Sequence, residues 1–367
     1  MKKILYVTTV SRTINAFLIP HINMLLEQGY HVDCACSIDK EVDKELIKKG
    51  VKVYEIPFSR KPLHPENYKA FKKLINIQEE NNYDIVHVHT PVASVYGRLL
   101  KVKFTKLKTI YTVHGFHFHK TAPKLNWIIY YPIEKIMSRF TDGIITINQE
   151  DYDRASRFNI EKVYKHRGVG VDLQQYSPGR YDKSEVRSKL NLKDEDFVVL
   201  MIAEVNKNKN HRQIIEAVKI LKSRNVDIKV LCAGDGVLLQ SIREEIEKEG
   251  LSDNIRMLGF RTDVDELVSS CDVGVLMSYR EGLPKNIMEL MAAKKPVIGT
   301  NIRGIGDLVI DGCNGYLVKV GDSEATADRI EYLKNNREIL DELSDNAYEF
   351  IRDYDINKVV GQLAHVY

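Results

Sequence analysis

Two glutamates, Glu281 and Glu289, stand eight positions apart where a predicted strand gives way to a predicted helix. The short apolar run 273–277 is bounded by turn residues and predicts a buried strand. Pro284 suits the first turn of the helix that follows, where no intrahelical amide partner is needed. Free amides and the dipole at a helix start favour anions, phosphates above all. The two carboxylates would flank that anion as acceptors for hydroxyl groups.

A sugar nucleotide offers both phosphate and hydroxyl groups, so the pattern fits such a ligand. The same spacing also fits a solvated loop acid at Glu281 and a surface helix acid at Glu289, because most glutamates in proteins are exposed. Spacing alone leaves both interpretations open.

Length and composition limit the class of protein. A chain of 367 residues predicts two domains rather than one core. With 44% hydrophobic and 29% charged residues it is expected to be soluble and globular. The net charge of +3 argues against a dedicated nucleic-acid binder, and no nucleic-acid partner is expected. The odd number of cysteines predicts reduced thiols in a cytoplasmic protein; they are Cys34, Cys36, Cys232, Cys271 and Cys313.

The apolar run after Lys2 and Lys3 resembles the start of a signal peptide but stops by Val10, with no plausible cleavage site. We therefore predict that it is the first strand. A membrane-spanning helix needs about 20 apolar residues, and we expect none in this chain.

Strands alternate with helical segments along both halves of the chain, which predicts α/β domains with parallel sheets covered by helices on both faces. Helices are predicted at 17–27, 68–80, 330–336 and 337–352. Strands are predicted at 3–9, 31–37, 51–56, 85–89, 109–113, 143–148, 162–166, 197–203, 228–233, 255–258, 273–277, 296–299 and 315–318.

The segment 172–180 interrupts the periodicity with Ser, Pro and Gly and is the best candidate for a linker. We predict an acceptor-side Rossmann-like domain at 1–175 and a nucleotide-sugar-binding Rossmann-like domain at 176–367, with the last helix able to pack back on the first domain. Ligands of such sheets bind outside the carboxyl ends of the strands, so a cleft between the halves is expected.

The spacing of Glu, seven residues and Glu inside EGLPKNIMELMA resembles the signature of retaining family 4 glycosyltransferases of the GT-B fold. The resemblance covers nearly the whole chain. It extends to bacterial transferases of the EpsD-like or CapM-like type, which build capsular or exopolysaccharide repeat units. The further matching stretches are HTPVASVYGRLL from His89, TVHGFHF from Thr112, DGIITIN from Asp142 and GVGVD from Gly168.

The resemblance implies three catalytic roles. Glu281 would face the hydroxyls of the donor sugar, His114 would contact that sugar near the reacting carbon, and Lys209 would neutralise the diphosphate. Charge grows on the leaving diphosphate as its bond to the sugar breaks, and preorganised cations and amides stabilise that charge. Glu289 would accept hydrogen bonds from the ribose. The backbone that would meet the diphosphate and sugar comprises Gly282, Leu283, Pro284, Lys285 and Asn286.

Gly234 resembles the glycine turn near the base and phosphates, although no complete dinucleotide fingerprint is present. The chain departs from the family at Glu204, where an arginine is common, and Arg261 or Lys207 is the candidate replacement. A second departure is at residues 305–306, which replace polar positions and leave Arg303 and Asp307 as weak candidates. On the acceptor side the resemblance implies Thr9, Ser11 and Arg12.

Two patterns could suggest a metal: the histidines His114, His117 and His119, and the pair Asp263 and Asp265. No cysteine or carboxylate cluster accompanies the histidines. Thr262, Asp263 and Glu266 fit better as the start of a helix, whose positive end favours acids. The resemblance implies no obligatory metal and no cofactor, with the nucleotide sugar as substrate.

Acceptors of related enzymes are lipid-linked saccharides, which implies a membrane surface as a partner and a position at the inner face of the cell membrane. Residues 101–108 are basic, and residues 120–139 combine lysines with Trp127, Tyr130 and Tyr131. Basic and aromatic residues on one amphipathic surface suit an anionic bilayer. A solvated helix face explains the same pattern.

The sequence thus predicts a retaining transferase that uses a nucleoside-diphosphate sugar, with a UDP sugar of the N-acetylhexosamine type as one candidate. The expected route is attack on the same face, with the leaving phosphate taking the acceptor's proton. A non-hydrolysing UDP-sugar epimerase and a non-catalytic carbohydrate-binding protein remain alternatives. A glycoside hydrolase would need its two carboxylates across a sugar ring, about 5 to 9.5 Å apart.

Overall fold

A computed structural model describes residues 1–62 and 64–367 of the chain. These residues form two compact units. The first contains Met1–Val169 and Lys358–Tyr367, and the second contains Gly170–Asn357. The chain therefore returns to its first unit for the last ten residues, which include most of the helix Ile356–Leu363.

The first unit is built on a parallel sheet with the strand order β3-β2-β1-β4-β5-β6-β7. Strand β1 pairs with β2 and β4, so that Tyr6 lies opposite Cys34 on one side and His87 on the other. The strands are β1 (Lys3–Val10), β2 (His31–Ser37), β3 (Val53–Glu55), β4 (Ile85–His89), β5 (Lys108–Val113), β6 (Gly143–Thr146) and β7 (Lys162–Lys165).

Successive side chains of β1 enter different cores because side chains alternate across a strand. Leu5 and Val7 join one apolar cluster, and Ile4 and Tyr6 join the other. Helices cover both clusters. They are α1 (Ser11–Thr13), a π-helical turn (Ile14–Leu18), α2 (Ile19–Glu27), α3 (Lys44–Lys48), α4 (Pro65–Asn81), α5 (Pro91–Lys103), α6 (Lys124–Met137), α7 (Gln149–Ala155) and a 3₁₀ turn (Ser138–Phe140).

The second unit repeats the plan with the order β10-β9-β8-β11-β12-β13. Its strands are β8 (Val198–Ile202), β9 (Lys229–Ala233), β10 (Ile255–Gly259), β11 (Val273–Leu276), β12 (Val297–Thr300) and β13 (Gly315–Val318). Its helices are α8 (Lys183–Lys189), α9 (His211–Ser223), α10 (Leu239–Lys248), α11 (Val264–Ser270), α12 (Lys285–Ala292), α13 (Ser323–Asn335) and α14 (Arg337–Ile351), with the 3₁₀ turns Lys207–Lys209 and Arg352–Tyr354. Most of α15 (Ile356–Leu363) and the 3₁₀ turn Ala364–Val366 belong to the first unit.

The predicted strands are present, with ends that differ by a few residues. Two expectations were wrong in detail. The helix predicted at 330–336 begins at Ser323, because Asp322 accepts a hydrogen bond from the amide of Ala325 and caps it there. The segment 172–180 is not a loose linker, since Tyr176 is only 6% exposed and belongs to the core of the second unit.

Each sheet reverses its strand order once, between β1 and β4 in the first unit and between β8 and β11 in the second. Ligands of doubly wound sheets bind beyond the carboxyl ends of the strands at such reversals. In the first unit Thr90, directly after β4, has a φ of +65°. A threonine held there is strained, which is typical of functional sites.

Candidate active site

At the point where the strand order of the second unit reverses, the loop after β8 contacts the loop after β11. Lys209 Nζ donates to Glu281 Oε1 at 2.6 Å, and both side chains are largely buried. The loops are also tied through their backbones, since the Tyr279 amide donates to the carbonyl of Asn208 at 2.8 Å. The Asn208 side chain donates in turn to the carbonyl of Arg280 at 3.0 Å. The predicted residues Lys209 and Glu281, 72 positions apart, therefore meet.

Helix α12 starts directly after the Glu281 loop. Pro284 occupies the position before the helix rather than its first turn. Pro284 has no N–H, so it cannot be one of the amides that meet a diphosphate. The side chain of Asn286 donates to the carbonyl of Ile202 at 2.6 Å and fixes the helix start to the end of β8. Leu283 packs against the core, and within the first turn of α12 the Ile287 amide donates to Asn286 Oδ1 at 3.0 Å.

Glu289 lies in α12 and is buried, with 8% of its surface exposed. Lys285, one turn earlier, places Nζ 3.1 Å from Glu289 Oε1. Burial, followed by the charge and hydrogen bond of Glu289, raises the pKa of the Tyr176 phenol. Tyr176 therefore lies beside Glu289, a neighbour that the sequence pattern did not reveal. The Ser-Pro-Gly composition of its segment pointed to a linker instead.

A third loop, after β12, packs onto the Glu281 loop. Arg303 Nε donates to the carbonyl of Glu281 at 3.2 Å. Gly304 has a φ of +82°, and a Cβ there would lie 2.4 Å from the Gly282 carbonyl oxygen, so only glycine permits this contact. Arg303 was a weak candidate from sequence and is a second cation at the site. The sequence could have indicated Arg303 more strongly, because it follows β12 and therefore lies at the same edge of the sheet as the Glu281 loop.

A cavity of about 380 Å³ opens at the carboxyl ends of β8, β9 and β10, lined by Gly234, Arg261, Phe260 and Glu204 among others. A Cβ on Gly234 would lie 1.9 Å from the Ala203 carbonyl oxygen, so close strand-end packing requires glycine. Arg261 Nε donates to Asp263 Oδ1 at 2.8 Å. Asp263 precedes α11 without capping it through its side chain, because that carboxylate is held by Arg261.

The aspartates and histidines that could suggest a metal site contact other side chains in the structure. Asp265 accepts a hydrogen bond from the Tyr181 hydroxyl at 2.8 Å. The His119 ring lies 3.1 Å from Thr121 Oγ1, and the His117 ring packs on Tyr130. Within residues 1–62 and 64–367, no group of three or more His, Cys, Asp or Glu side chains is arranged to hold a metal ion.

In the first unit His114 follows β5 directly, and its Nε2 lies 3.2 Å from Nδ1 of His89 at the end of β4. Thr9, at the end of β1, donates through its amide to Thr90 Oγ1 at 3.0 Å. Three strand ends at the reversal point thus carry polar side chains. The sequence pattern identified Thr9 and His114 but missed His89 and Thr90.

Ser11 and Arg12 are tied to the loop after β2. Ser11 is fully buried and accepts a hydrogen bond from the Lys40 amide at 3.0 Å. Its hydroxyl supports that loop, because it also lies 2.6 Å from the Lys40 carbonyl oxygen. Arg12 is more exposed and donates from Nε to Asp39 Oδ2 at 2.5 Å. Of these two, Arg12 is the side chain that an external ligand can reach.

Helix α6 exposes a stripe of aliphatic side chains at helical spacing. They are Leu125 (63% exposed), Ile128 (70%), Ile129 (44%), Ile133 (39%) and Ile136 (56%). Trp127, Tyr130 and Tyr131 are partly buried against the core, so the most exposed apolar side chains of this helix are the aliphatic ones. Helical periodicity puts the rings and the isoleucines on different faces. Among the described residues no helix is both long and apolar enough to cross a membrane.

Two doubly wound parallel sheets with charged loops at the carboxyl ends of their strands are the architecture of the GT-B fold class. A family model described as "Glycosyl transferase 4-like" matches residues 3–148, and one described as "Glycosyl transferases group 1" matches residues 182–350. The chain is 36% identical over 374 residues to the EpsD protein of Bacillus subtilis (strain 168), which its name assigns to the glycosyltransferases. That alignment covers 100% of this chain and 96% of EpsD. The chain belongs to this glycosyltransferase family.

Two further similarities are informative. An Escherichia coli enzyme named UDP-Gal:alpha-D-GlcNAc-diphosphoundecaprenol alpha-1,3-galactosyltransferase is 26% identical over 309 residues, covering 82% of this chain and 79% of the enzyme. The crystal structure of Anabaena HepE in complex with UDP and glucose superposes with a TM-score of 0.81 at 20% identity. It covers 100% of this chain and 99% of HepE, and confirms the predicted fold class.

Proposed function

We propose that this glycosyltransferase retains anomeric configuration and moves a sugar from a UDP sugar to a lipid-linked saccharide in capsule or exopolysaccharide synthesis. The observation that carries the proposal is the Lys209–Glu281 pair beside the first turn of α12, in a chain of this family. The cation and amides suit a diphosphate, and the carboxylates Glu281 and Glu289 suit sugar and ribose hydroxyls.

The chemistry follows from where charge changes. The acceptor oxygen forms a bond to the anomeric carbon while the bond from that carbon to the diphosphate breaks. The acceptor's proton passes to the leaving phosphate oxygen, so no separate protein base is required. Negative charge grows on the diphosphate, and Lys209, the α12 amides and the neighbouring Arg303 would stabilise it.

The donor and acceptor classes are supported by the relatives. The E. coli enzyme is named for UDP-Gal and for a diphosphoundecaprenol-linked acceptor, and HepE was crystallised with UDP and glucose. We place the protein at the inner face of the membrane because a lipid-linked acceptor would lie there. An N-acetylhexosamine is a candidate for the transferred sugar.

The test incubates the chain with UDP sugars and a lipid-linked saccharide and follows the anomeric protons by NMR. Transfer that gives an α-linked product from an α-linked donor is expected. A β-linked product would contradict retention. Interconversion of the UDP sugar without any acceptor would favour an epimerase, and saccharide binding without nucleotide binding would favour a non-catalytic protein.

Removal of metal ions is expected to leave the transfer rate within about twofold, because Lys209 and the α12 amides carry the role of a divalent cation. The measurement compares initial rates after dialysis against EDTA with rates after adding back Mg²⁺ or Mn²⁺. A rate that collapses in EDTA and returns with metal would refute the proposed metal independence.

We further propose that the aliphatic stripe of α6, Leu125 to Ile136, docks on an anionic bilayer. Lys124 and Lys135 lie exposed on the same helix and complement anionic head groups. The exposed isoleucines supply apolar area that a monomer in water would gain by burying.

Replacing Ile128 and Ile129 together by aspartate is expected to lower the fraction bound to phosphatidylglycerol-containing vesicles at least about 10-fold. Burial of each isoleucine contributes roughly 1.5–3 kcal/mol, which exceeds the 1.36 kcal/mol of a tenfold change. Vesicle flotation measures the fraction of protein that is bound. The matched control is Val237→Asp, at a valine 88% exposed in the second unit. Equal losses in both variants, or no flotation of the wild type, would mean that α6 is a solvated face.

A further inference from the structure

A buried polar cluster lies beneath the strand ends of the first unit. The His87 ring is fully satisfied, with Nδ1 2.5 Å from the Tyr367 hydroxyl and Nε2 2.7 Å from Thr112 Oγ1. The His89 ring packs 4.3 Å from the His87 ring and stacks on Tyr6 at 5.4 Å. His89 is thereby held rigidly, with its Nδ1 3.2 Å from His114 Nε2.

Both rings of the His89–His114 pair are neutral near pH 7. Burial, followed by the neighbouring histidines His87, His114 and His21, lowers the pKa of His89 well below its usual value. Burial lowers the pKa of His114 to about 4. A neutral imidazole carries one hydrogen and one lone pair, so each ring has two tautomers. Because the two rings share a hydrogen bond, the tautomer of His89 determines the tautomer of His114.

The second nitrogen of His89 decides between the tautomers. His89 Nε2 is buried and has no hydrogen-bond partner among residues 1–62 and 64–367. A hydrogen on Nε2 would be a buried orphan N–H, which proteins tolerate less readily than a bare acceptor. The hydrogen of His89 therefore belongs on Nδ1, where it donates to His114 Nε2. His114 then accepts at Nε2 and must carry its own hydrogen on Nδ1.

We propose that His89 is a positioning residue that fixes the tautomer of His114, so that His114 presents Nδ1–H as a donor. This rests on the proposed function and on the family resemblance, which implies that His114 contacts the donor sugar near the reacting carbon. His114 Nδ1 is then a hydrogen-bond donor to an oxygen of the sugar or diphosphate, and it cannot act as a base at that position.

The full chain labelled with ¹⁵N-histidine tests this by long-range ¹H–¹⁵N NMR, with His114→Gln used to assign the His114 signals. The wild type is expected to show His114 as the Nδ1–H tautomer. His89→Leu removes the donor, and the Nε2–H tautomer of His114 should become populated. The value of kcat/KM for the donor should fall about 10-fold. His89→Asn places an amide donor near the former Nδ1 and should recover most of both properties.

The exposed His365→Asn variant is the control and should change neither the spectrum nor the rate. A wild-type spectrum with His114 as the Nε2–H tautomer would overturn the inference, even if His89→Leu failed to fold. An unchanged His114 tautomer in folded His89→Leu would overturn it too. The spectra need no donor, so a wild type with the expected tautomer but no sugar transfer would count only against the proposed function.

Discussion

Replacing Lys209 by alanine is expected to lower kcat about 100- to 1000-fold, the range found when one preorganised donor to a developing anion is removed. Lys209 lies on the loop after β8 and is held by Glu281 at 2.6 Å, so its ammonium is already in place before the reaction. KM for the donor should change less than kcat, because the charge it stabilises develops mainly in the transition state. Steady-state kinetics with the UDP sugar that supports transfer in the NMR assay measure both constants.

Lys248 supplies the control, since it is an exposed lysine at the end of α10 in the same unit. Lys248→Ala should keep kcat within about twofold. An equal loss in both variants would show a general effect of removing positive charge and would contradict the specific role of Lys209.

The Lys209→Ala variant could lose activity through a distorted loop as well as through lost charge stabilisation, and a double variant separates the two causes. Lys209→Ala leaves the partly buried Glu281 without its partner, which by itself could distort the loop. Glu281→Gln in the Lys209→Ala background removes that unpaired charge. If the double variant recovers most of kcat, the lysine serves only to hold the loop. The proposed charge stabilisation requires that kcat stays low.

Replacing Glu289 by glutamine is expected to weaken UDP binding about 10- to 100-fold, since hydrogen bonds to a charged group contribute roughly 1.5–3 kcal/mol. Glu289 is buried beside Tyr176, and its position in the second turn of α12 puts it at the proposed ribose site. Glutamine keeps the size of the side chain and removes its charge. Isothermal titration calorimetry with UDP alone measures the affinity without any acceptor.

Glu247→Gln is the matched control, because Glu247 is an exposed helix glutamate of the same unit. It should leave UDP affinity unchanged. Unchanged affinity in Glu289→Gln, together with full transfer activity in Glu281→Ala and Glu289→Ala, would remove the site assignment altogether.

Much of the architecture could be predicted from local sequence. Short apolar runs separated by amphipathic segments are typical of a parallel sheet that is covered by helices on both faces. The strands of the structure form where those runs predict them. The helix start after Glu281 was also readable, because Gly, Pro and an apolar face mark it within one stretch. Helix α13 began earlier than predicted because its cap, Asp322, lies outside the apolar pattern.

The site depended on contacts between distant parts of the chain. Arg303 meets the Glu281 loop only because β11 and β12 are neighbours in the sheet, and Tyr176 meets Glu289 from a segment that its composition marks as a linker. Helix α6 shows the same limit, since the sequence contains both rings and isoleucines and only packing decides that the isoleucines face outward.

The stretch from Ser278 to Thr300 shows which features the local sequence determines and which depend on the tertiary structure. By itself the sequence determined a strand, a loop with Glu281 and a helix with Glu289, because propensity, turn residues and periodicity act over a few residues. Only the tertiary structure decided that Lys209 pairs with Glu281 and that His89 supports His114. Both pairs form because parallel strands bring their carboxyl ends to one edge, and strand order in a sheet is not written in any local pattern.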